Sequence, residues 1–196
     1  MHRVVGVLLI ACASTALSIL PARASTPSNL VESVTAKVAE IAKTKTGADR
    51  ETAIGQVLRD NFDLPYMVSS ALGTHWIQAD ARQRARFLAA FEASEAHAYS
   101  ERLGNHAGVT MTIGKVISRP NSVWIVDGLL NQAGGPPIKL EWEIHDGGQG
   151  LRITDVKVRG ISMFVTRRSD FNSYIQNNGG TIEPLIEKLE ARAAVH

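Results

Sequence analysis

The feature that most constrains this sequence is a change of hydrophobic period between residues 109 and 158. Apolar residues recur there at alternate positions, whereas on either side they recur at three- and four-residue spacing. Four strands fit this pattern, at 109–118, 123–131, 138–145 and 151–158. The segments between them are short and rich in Gly, Pro and Asn. Such connections leave no room for helical crossovers, so we expect an antiparallel meander.

The third strand indicates how the sheet is covered. Its apolar positions are Ile138, Leu140, Trp142 and Ile144. They alternate with polar residues, so one face is buried and the other meets water. We expect the buried face to meet the helix that carries Phe87 and Phe91, with Trp124 and Val126 inward on the second strand, although both faces of that strand are apolar. The fourth strand changes phase at Thr154-Asp155, which predicts a β-bulge.

Helical patterns flank the strands on both sides. Two capping boxes mark helix starts: Asn29 with Glu32, and Asp80 with Gln83. The predicted helices are 29–43, 49–62, 65–73 and 81–103 before the strands, and 166–176 and 182–193 after them. Gly104 is the predicted C-cap of the longest helix, and Thr181 the N-cap of the last. This order predicts an α+β protein with helices covering a curved antiparallel sheet of four or slightly more strands.

The N-terminus has the pattern of an export signal. A short basic start precedes the uncharged residues 4–20, and a small-x-small sequence ends at Ala24. We therefore expect a signal peptide over residues 1–24 and a single domain over residues 25–196. The uncharged run makes a weak membrane span, since a bilayer core needs about twenty strongly apolar residues. Cys12 ends a lipobox-like sequence, so lipidation is the alternative, but the apolar run continues past it.

Removal of the signal changes the charge balance. The whole chain has 21 Lys and Arg residues against 19 Asp and Glu, and Arg3 and Arg23 lie in the signal. The mature chain is therefore formally neutral, which argues against nucleic acid as a partner, because phosphate neutralisation dominates that binding. Cys12 is the only cysteine, so the exported domain has no disulfide and depends on its hydrophobic core.

No motif predicts catalysis, a metal or a cofactor. The sequence from Gly160 to Phe164 matches half of a nucleophile elbow, but Phe164 stands where that turn needs Gly. Ser162 is therefore better interpreted as a helix cap or a loop hydroxyl. The histidines after residue 24 form no i, i+4 pair and have no Cys partner, so a metal site is unsupported. Asp155 lies beside the predicted bulge. Its interpretation as the buried carboxylate of an acid-base enzyme stays open.

Six short motifs resemble one known family. They are Phe62-Asp63-Leu64-Pro65-Tyr66-Met67, Ala71-Leu72-Gly73-Thr74-His75-Trp76, Gln83-Arg84-Ala85-Arg86-Phe87, Gly160-Ile161-Ser162-Met163, Arg168-Ser169-Asp170-Phe171 and Gly179-Gly180-Thr181-Ile182-Glu183-Pro184-Leu185-Ile186. In this order, over roughly residues 29–189, they resemble the MlaC-type lipid-shuttle proteins, the auxiliary periplasmic component of toluene-tolerance ABC transporters. The first two motifs also resemble the hopanoid-associated branch. Arg159 departs from the acidic residue common in the family, which bears on headgroup or partner contacts rather than on the fold.

The resemblance implies an NTF2-like fold, without a cofactor, whose sheet and helices enclose an apolar pocket for the chains of a phospholipid or a hopanoid-like lipid. It implies a periplasmic carrier between an outer-membrane lipoprotein complex and an inner-membrane ABC transporter complex with a substrate-binding subunit. The residues expected to contact the lipid are Trp76, Phe87, Phe91, Trp124, Val126, Leu140, Trp142, Ile144, Val158, Met163 and Phe164. A lipid with about thirty methylenes needs such cover, because exposing its chains to water costs on the order of 20 kcal/mol.

Two interpretations from other classes stay open. One is an NTF2-like acid-base enzyme that uses Asp155, and the other is a structural or adaptor protein with a filled core. Hydrophobic periodicity does not separate a packed core from one that holds a ligand, so the pattern alone does not choose between them.

Overall fold

The computed structural model describes residues 26–103, 110–131, 135–148 and 150–194. The predicted signal peptide, Cys12 and the predicted C-cap Gly104 lie outside these ranges. Five helices come first: α1 (Pro27–Thr44), α2 (Gly47–Asn61), α3 (Leu64–Leu72), α4 (Thr74–Gln78) and α5 (Ala81–Leu103). The strands follow: β1 (Thr110–Arg119), β2 (Val123–Asn131), β3 (Ile138–Asp146), β4 (Leu151–Val158) and β5 (Ile161–Ser162). Helices α6 (Met163–Asn177) and α7 (Glu183–Ala193) complete the chain, and the predicted α+β class is confirmed.

The five strands form one antiparallel sheet in chain order, as the short connections require. The fifth strand was not identified from the sequence. It has two residues and follows a two-residue turn, Arg159-Gly160. Val158 and Ile161 pair on the two sides of this turn. Both turn residues have positive φ, 53° for Arg159 and 83° for Gly160. This is the conformation that a tight hairpin needs, and it is unfavourable for an arginine.

The predicted bulge lies at the expected place. Glu143 pairs with Asp155 and Ile144 pairs with Ile153, which leaves Thr154 as the extra residue of β4. The Thr154 hydroxyl lies 3.4 Å from the carbonyl oxygen of Glu143 and 3.2 Å from its carboxylate. The bulge bends β4 and changes the phase of its side chains, which explains the broken alternation in the sequence.

Cross-strand pairing confirms which face of β2 points inward. Directly paired residues of antiparallel strands lie on the same face. Trp124 pairs with Ile144 and Val126 pairs with Trp142, so this face of β2 continues the apolar face of β3. Val126 is fully buried and Trp142 is 8% exposed. The expected inward orientation of Trp124 and Val126 is therefore correct.

The helices that cover the sheet differ from those expected. The backbone of α1 contacts β1 and β2, while α2, α3 and α6 contact β4. Helix α5 packs mainly on α2 and α7. Phe87 and Phe91 reach from α5 into the core that they share with the apolar residues of β3. The Arg86 guanidinium joins α5 to α7 by donating to the carboxylates of Glu183 and, at 2.9–3.0 Å, Glu190.

Helix starts show which local signals were correct. The Asp80–Gln83 capping box forms, with the Gln83 backbone N–H donating to the Asp80 carboxylate at 2.7 Å. Helix α1 begins earlier than predicted, because Pro27 occupies its first turn and the Thr26 hydroxyl accepts from the Asn29 N–H. The predicted Asn29 cap was therefore wrong. The predicted Thr181 cap was also wrong, because residue 182 caps α7 without a side-chain hydrogen bond.

Candidate functional site

Three phenylalanines join α5 to α6 in the core. Phe171 meets Phe87 edge to face at a centroid distance of 5.6 Å, and meets Phe91 in the same way at 6.0 Å. Phe87 and Phe91 are separated by one helical turn and stack at 6.5 Å. Such edge-to-face pairs contribute about 0.5–1.5 kcal/mol beyond the burial of their area. The cluster packs α5 against α6 beside a cavity that is partly open to solvent.

The cavity lies between α3, α5 and α6 and has a volume of about 150 Å³. Most of its wall is apolar: Met67, Val68, Ala71, Phe91, Met163, Phe164 and Phe171. Methionine side chains adapt to irregular apolar partners, because they are unbranched and polarisable. Every residue found to line this cavity, within the part of the chain that the structure describes, belongs to a helix.

One side of the cavity is polar. The Arg167 guanidinium on α6 contacts the Glu95 carboxylate on α5 at 2.8 Å from Nε and at 2.6 Å from Nη2. Glu95 is among the buried residues, and such a carboxylate requires a charged partner. Burial raises the pKa of the neighbouring Tyr99 hydroxyl, and the nearby charge of Glu95 raises it further. The guanidinium carbon of Arg102 lies 5.7 Å from the centroid of the Tyr99 ring, and Thr166 also lines this side.

A second hollow opens on the surface beside the cavity. It is wider and shallower, with a volume of about 380 Å³, and His97, Ala98, Glu101, Arg102 and Arg192 line it. Of the described residues that line it, four carry ionisable or imidazole side chains and Ala98 is the apolar one. Arg102 lines both hollows. The cavity between α3, α5 and α6 is the better candidate for an apolar ligand, because three phenylalanines and two methionines line it.

The sequence-predicted contact residues fall into two groups. Phe91, Met163 and Phe164 line the cavity. The other eight belong to the packed core or lie against it: Trp76, Phe87, Trp124, Val126, Leu140, Trp142, Ile144 and Val158. Trp76 lies on α4, a helix that was not predicted, and the Arg84 guanidinium lies 5.6 Å from the centroid of its ring. A lipid contact for any of these eleven residues stays a prediction.

Sequence reasoning missed the contribution of α3. Met67, Val68 and Ala71 are spaced along one side of that helix, and this spacing was the signal for an inward face. The sequence did not indicate that this face meets α6, which starts more than ninety residues after α3. The Glu95–Arg167 ion pair was missed for the same reason, since 72 residues separate its partners.

The remaining chemical candidates have structural roles in the fold. Ser162 is the N-cap of α6, and its hydroxyl accepts from the Val165 N–H at 2.9 Å, as the cap interpretation predicted. Among the described residues there is no group of three His, Cys, Asp or Glu side chains placed to hold a metal ion. Within the same ranges, no helix is long and apolar enough to cross a membrane.

Asp155 is buried, with 6% of its surface exposed. Its exposure therefore does not exclude an acid-base role. One carboxylate oxygen, however, accepts from the Phe164 N–H at 2.9 Å, in the first turn of α6. A carboxylate here satisfies an N–H that has no intrahelical partner and offsets the positive end of the helix dipole.

This geometry predicts a structural effect for Asp155→Ala. Loss of the acceptor should lower the free energy of unfolding by about 1–3 kcal/mol, because the Phe164 N–H becomes unpaired in a partly buried position. Asp155→Asn keeps an oxygen acceptor, so it should lose less. Denaturant midpoints of the three proteins check this order. A midpoint for Asp155→Ala equal to that of the unchanged protein would show that the contact does not anchor α6.

Taken together, the fold and the cavity define an α+β protein in which three helices, beside an antiparallel sheet, form a largely apolar cavity with one polar side that carries the Glu95–Arg167 ion pair. The family model for the MlaC protein matches residues 28–191. The chain therefore belongs to the MlaC family.

One solved structure similar to this chain is a phospholipid-binding protein from Ralstonia solanacearum in complex with a phospholipid. The two share 18% sequence identity, and the match covers 84% of this chain and 95% of that one with a TM-score of 0.71. At this identity the likeness shows the common fold. The comparison with curated proteins found no match.

Proposed function

We propose that this protein is a periplasmic lipid carrier. It binds a phospholipid or related membrane lipid and shuttles it between an outer-membrane lipoprotein complex and an inner-membrane ABC transporter complex with a substrate-binding subunit. Membership of the MlaC family carries the proposal, and the largely apolar cavity between α3, α5 and α6 supports it. The phospholipid bound to the Ralstonia protein of the same fold adds further support.

Lipid binding requires the cavity to widen. Pockets for small ligands occupy roughly 300–1,000 Å³, and the cavity described here has about 150 Å³. The driving force is sufficient, since each methylene removed from water contributes about 0.8 kcal/mol. We propose that α3 and α6 separate from α5 as the chains enter. Phe91 and Phe171 of the cavity wall share one hydrophobic core with Val126 and Trp142, so a widened cavity has the apolar face of the sheet within the same core.

The unpaired indole N–H of Trp142 fits this opening. Its Nε1 atom is buried, and among the described residues it has no hydrogen-bond partner. An unpaired buried donor is unfavourable by about 1–3 kcal/mol, so a ligand acceptor that reaches it gains affinity. The ester carbonyls of a glycerolipid are acceptors of this kind. The unpaired N–H therefore supports the prediction that Trp142 belongs to the lipid-binding residues.

Native mass spectrometry tests the carrier function. Protein purified from the periplasm should carry about one lipid per chain, and the adduct should dissociate as an intact glycerolipid or hopanoid. The same spectrum reports the mature N-terminus. A mass that begins at Ser25 fits cleavage after Ala24, and an acylated Cys12 contradicts the soluble form. If every preparation is free of lipid, and added phospholipid vesicles transfer none to the protein, the adaptor with a filled core is correct instead.

A further inference from the structure

The short strand β5 and the first turn of α6 carry an exposed run of apolar residues. Ile161 and Val165 are 62% and 61% exposed, and Met163 and Phe164 between them are only half-buried. A single exposed apolar residue is ordinary in a soluble protein, whereas several that are neighbours mark a surface for interaction. This part of the chain therefore offers apolar side chains to a partner outside the fold.

Two arginines flank this apolar run. Arg159 lies in the hairpin turn before Ile161, and Arg168 follows Val165 by three positions, on the same side of α6. Both arginines are exposed. Among the residues that the structure describes, neither guanidinium has a hydrogen-bond or ion-pair partner, whereas the guanidinium of Arg167 pairs with a carboxylate. The two positive charges are therefore available to a partner.

The turn that carries Arg159 is held in place by the sheet. Its backbone N–H donates to the carbonyl oxygen of Lys139 at 2.9 Å. Beside the turn, Lys139 and Lys157 share the carboxylate of Glu141, at 2.7 and 3.9 Å, so two lysines stand against one acidic group. The chain after residue 24 is formally neutral, and the turn is therefore a local excess of positive charge on a neutral protein.

We infer that Arg159, Ile161, Val165 and Arg168, here called the docking surface, bind the surface of an anionic lipid bilayer. The two apolar side chains enter the headgroup region, and the two guanidiniums contact its anionic groups. The inference goes beyond the proposed carrier function, because docking on a bilayer does not require a lipid in the cavity.

The docking surface adjoins the cavity. Phe164 and Thr166 line the cavity, directly before and after Val165 in the chain, and neither is buried. The cavity therefore reaches solvent beside Val165. A protein docked in this way holds the accessible side of its cavity close to the lipids of the bilayer.

Charge complementarity favours an anionic bilayer as the occupant. Each basic side chain near an anionic membrane strengthens binding by roughly fivefold. The apolar side chains add affinity that does not depend on charge. A few basic and two apolar side chains give weak and reversible binding, which suits a protein that must leave the membrane again.

A basic segment on β1 is the competing surface. Val116 and Ile117 are exposed there, next to Lys115. They are consecutive in a strand, so their side chains point to opposite faces of the sheet and form no common apolar surface. The side chains of Ile161 and Val165, in contrast, are four positions apart across the start of a helix.

The first experiment measures binding to vesicles. Protein purified from the periplasm is sedimented with vesicles of phosphatidylcholine alone and with vesicles of phosphatidylcholine mixed with phosphatidylglycerol. The mixed vesicles should bind at least about tenfold more protein, because at least two positive charges contribute about fivefold each. High salt should remove most of this difference, since it screens exposed charges.

The charge is tested with a matched pair of variants. Arg159→Gln with Arg168→Gln should lower binding to the mixed vesicles by at least about tenfold and leave binding to phosphatidylcholine unchanged. The control is Lys43→Gln with Lys45→Gln, which removes the same charge from exposed positions at the end of α1. It should bind like the unchanged protein.

The apolar contact is tested separately. Ile161→Ser with Val165→Ser should lower binding to the mixed vesicles by at least about fivefold, because methylenes no longer enter the headgroup region. Ile77→Ser is the control, since Ile77 is an exposed apolar residue on α4, outside the docking surface. All replaced residues are exposed, so denaturation midpoints should show that every variant folds.

The outcomes separate docking from lipid carriage. Loss of binding in both double variants of the docking surface, with binding kept in both controls, supports the inference. Equal binding to the two kinds of vesicle, unchanged binding in either double variant, or an equal loss in a control overturns it. No binding to any vesicle also overturns it, and an acidic protein surface is then the occupant to test. Native mass spectrometry of the same samples counts carried lipid, so a protein that docks and never carries lipid contradicts the carrier function alone.

Discussion

Phe87→Ala should lower the free energy of unfolding by about 3–5 kcal/mol, which is a large part of the roughly 5–15 kcal/mol that stabilises a domain. Phe87 is fully buried and contacts the rings of both Phe91 and Phe171. Removal of its ring leaves a void at the junction of α5 and α6. Phe87 does not line the cavity, so the substitution leaves the residues of the cavity wall unchanged. Chemical denaturation followed by far-UV circular dichroism measures the change.

Phe164→Ala is the matched control for this prediction. Phe164 is half-buried and lines the cavity, so its truncation enlarges an existing space instead of creating a new one. The loss of stability should be less than half of that for Phe87→Ala. Equal losses of stability for the two variants would show that the cavity wall is as tightly packed as the core. That result would contradict the assignment of Phe164 to a cavity and of Phe87 to a packed core.

Ala71→Phe should lower the lipid content of the purified protein by at least about tenfold while the lipid-free protein stays folded. Ala71 is buried on α3 and faces the cavity of about 150 Å³. An engineered apolar cavity of about this volume holds a benzene ring, so the new phenyl group has room inside it. The ring then occupies the place where the first methylenes enter. Native mass spectrometry measures lipid content, and a denaturation midpoint measures stability.

Ala90→Phe is the control, because Ala90 is equally small and buried but belongs to the packed core of α5 and does not line the cavity. Added bulk there should strain the core by about 1–3 kcal/mol. Lipid per folded chain should change less than in Ala71→Phe. An Ala71→Phe protein that keeps its full lipid content would place the lipid elsewhere, and the sheet face around Trp142 would become the first region to test.

Much of the fold could be predicted because its signals are local. The bounds of β2, β4 and α5 agree with the prediction, since alternation, turn residues and the Asp80 capping box act over a few neighbouring positions. The predicted element bounds were wrong where a second local signal, or an unusual backbone conformation, determined the structure instead. Pro27 and Thr26 start α1 ahead of the Asn29 pattern, and the short strand β5 forms because Arg159 adopts a positive φ that sequence patterns do not favour.

By itself the sequence determined the order of the six longer helices and the four longer strands, the antiparallel meander, the buried face of β3 and the resemblance to a family, because periodicity and motifs are properties of the chain. Only the tertiary structure decided where an apolar cavity remains. Its wall joins Ala71, Phe91 and Phe171 from helices that are distant in sequence. The Glu95–Arg167 pair and the position of Arg102 between two hollows have the same origin. Such proximity depends on how whole helices pack against one another. No local pattern in the sequence encodes a contact between residues that are far apart in the chain.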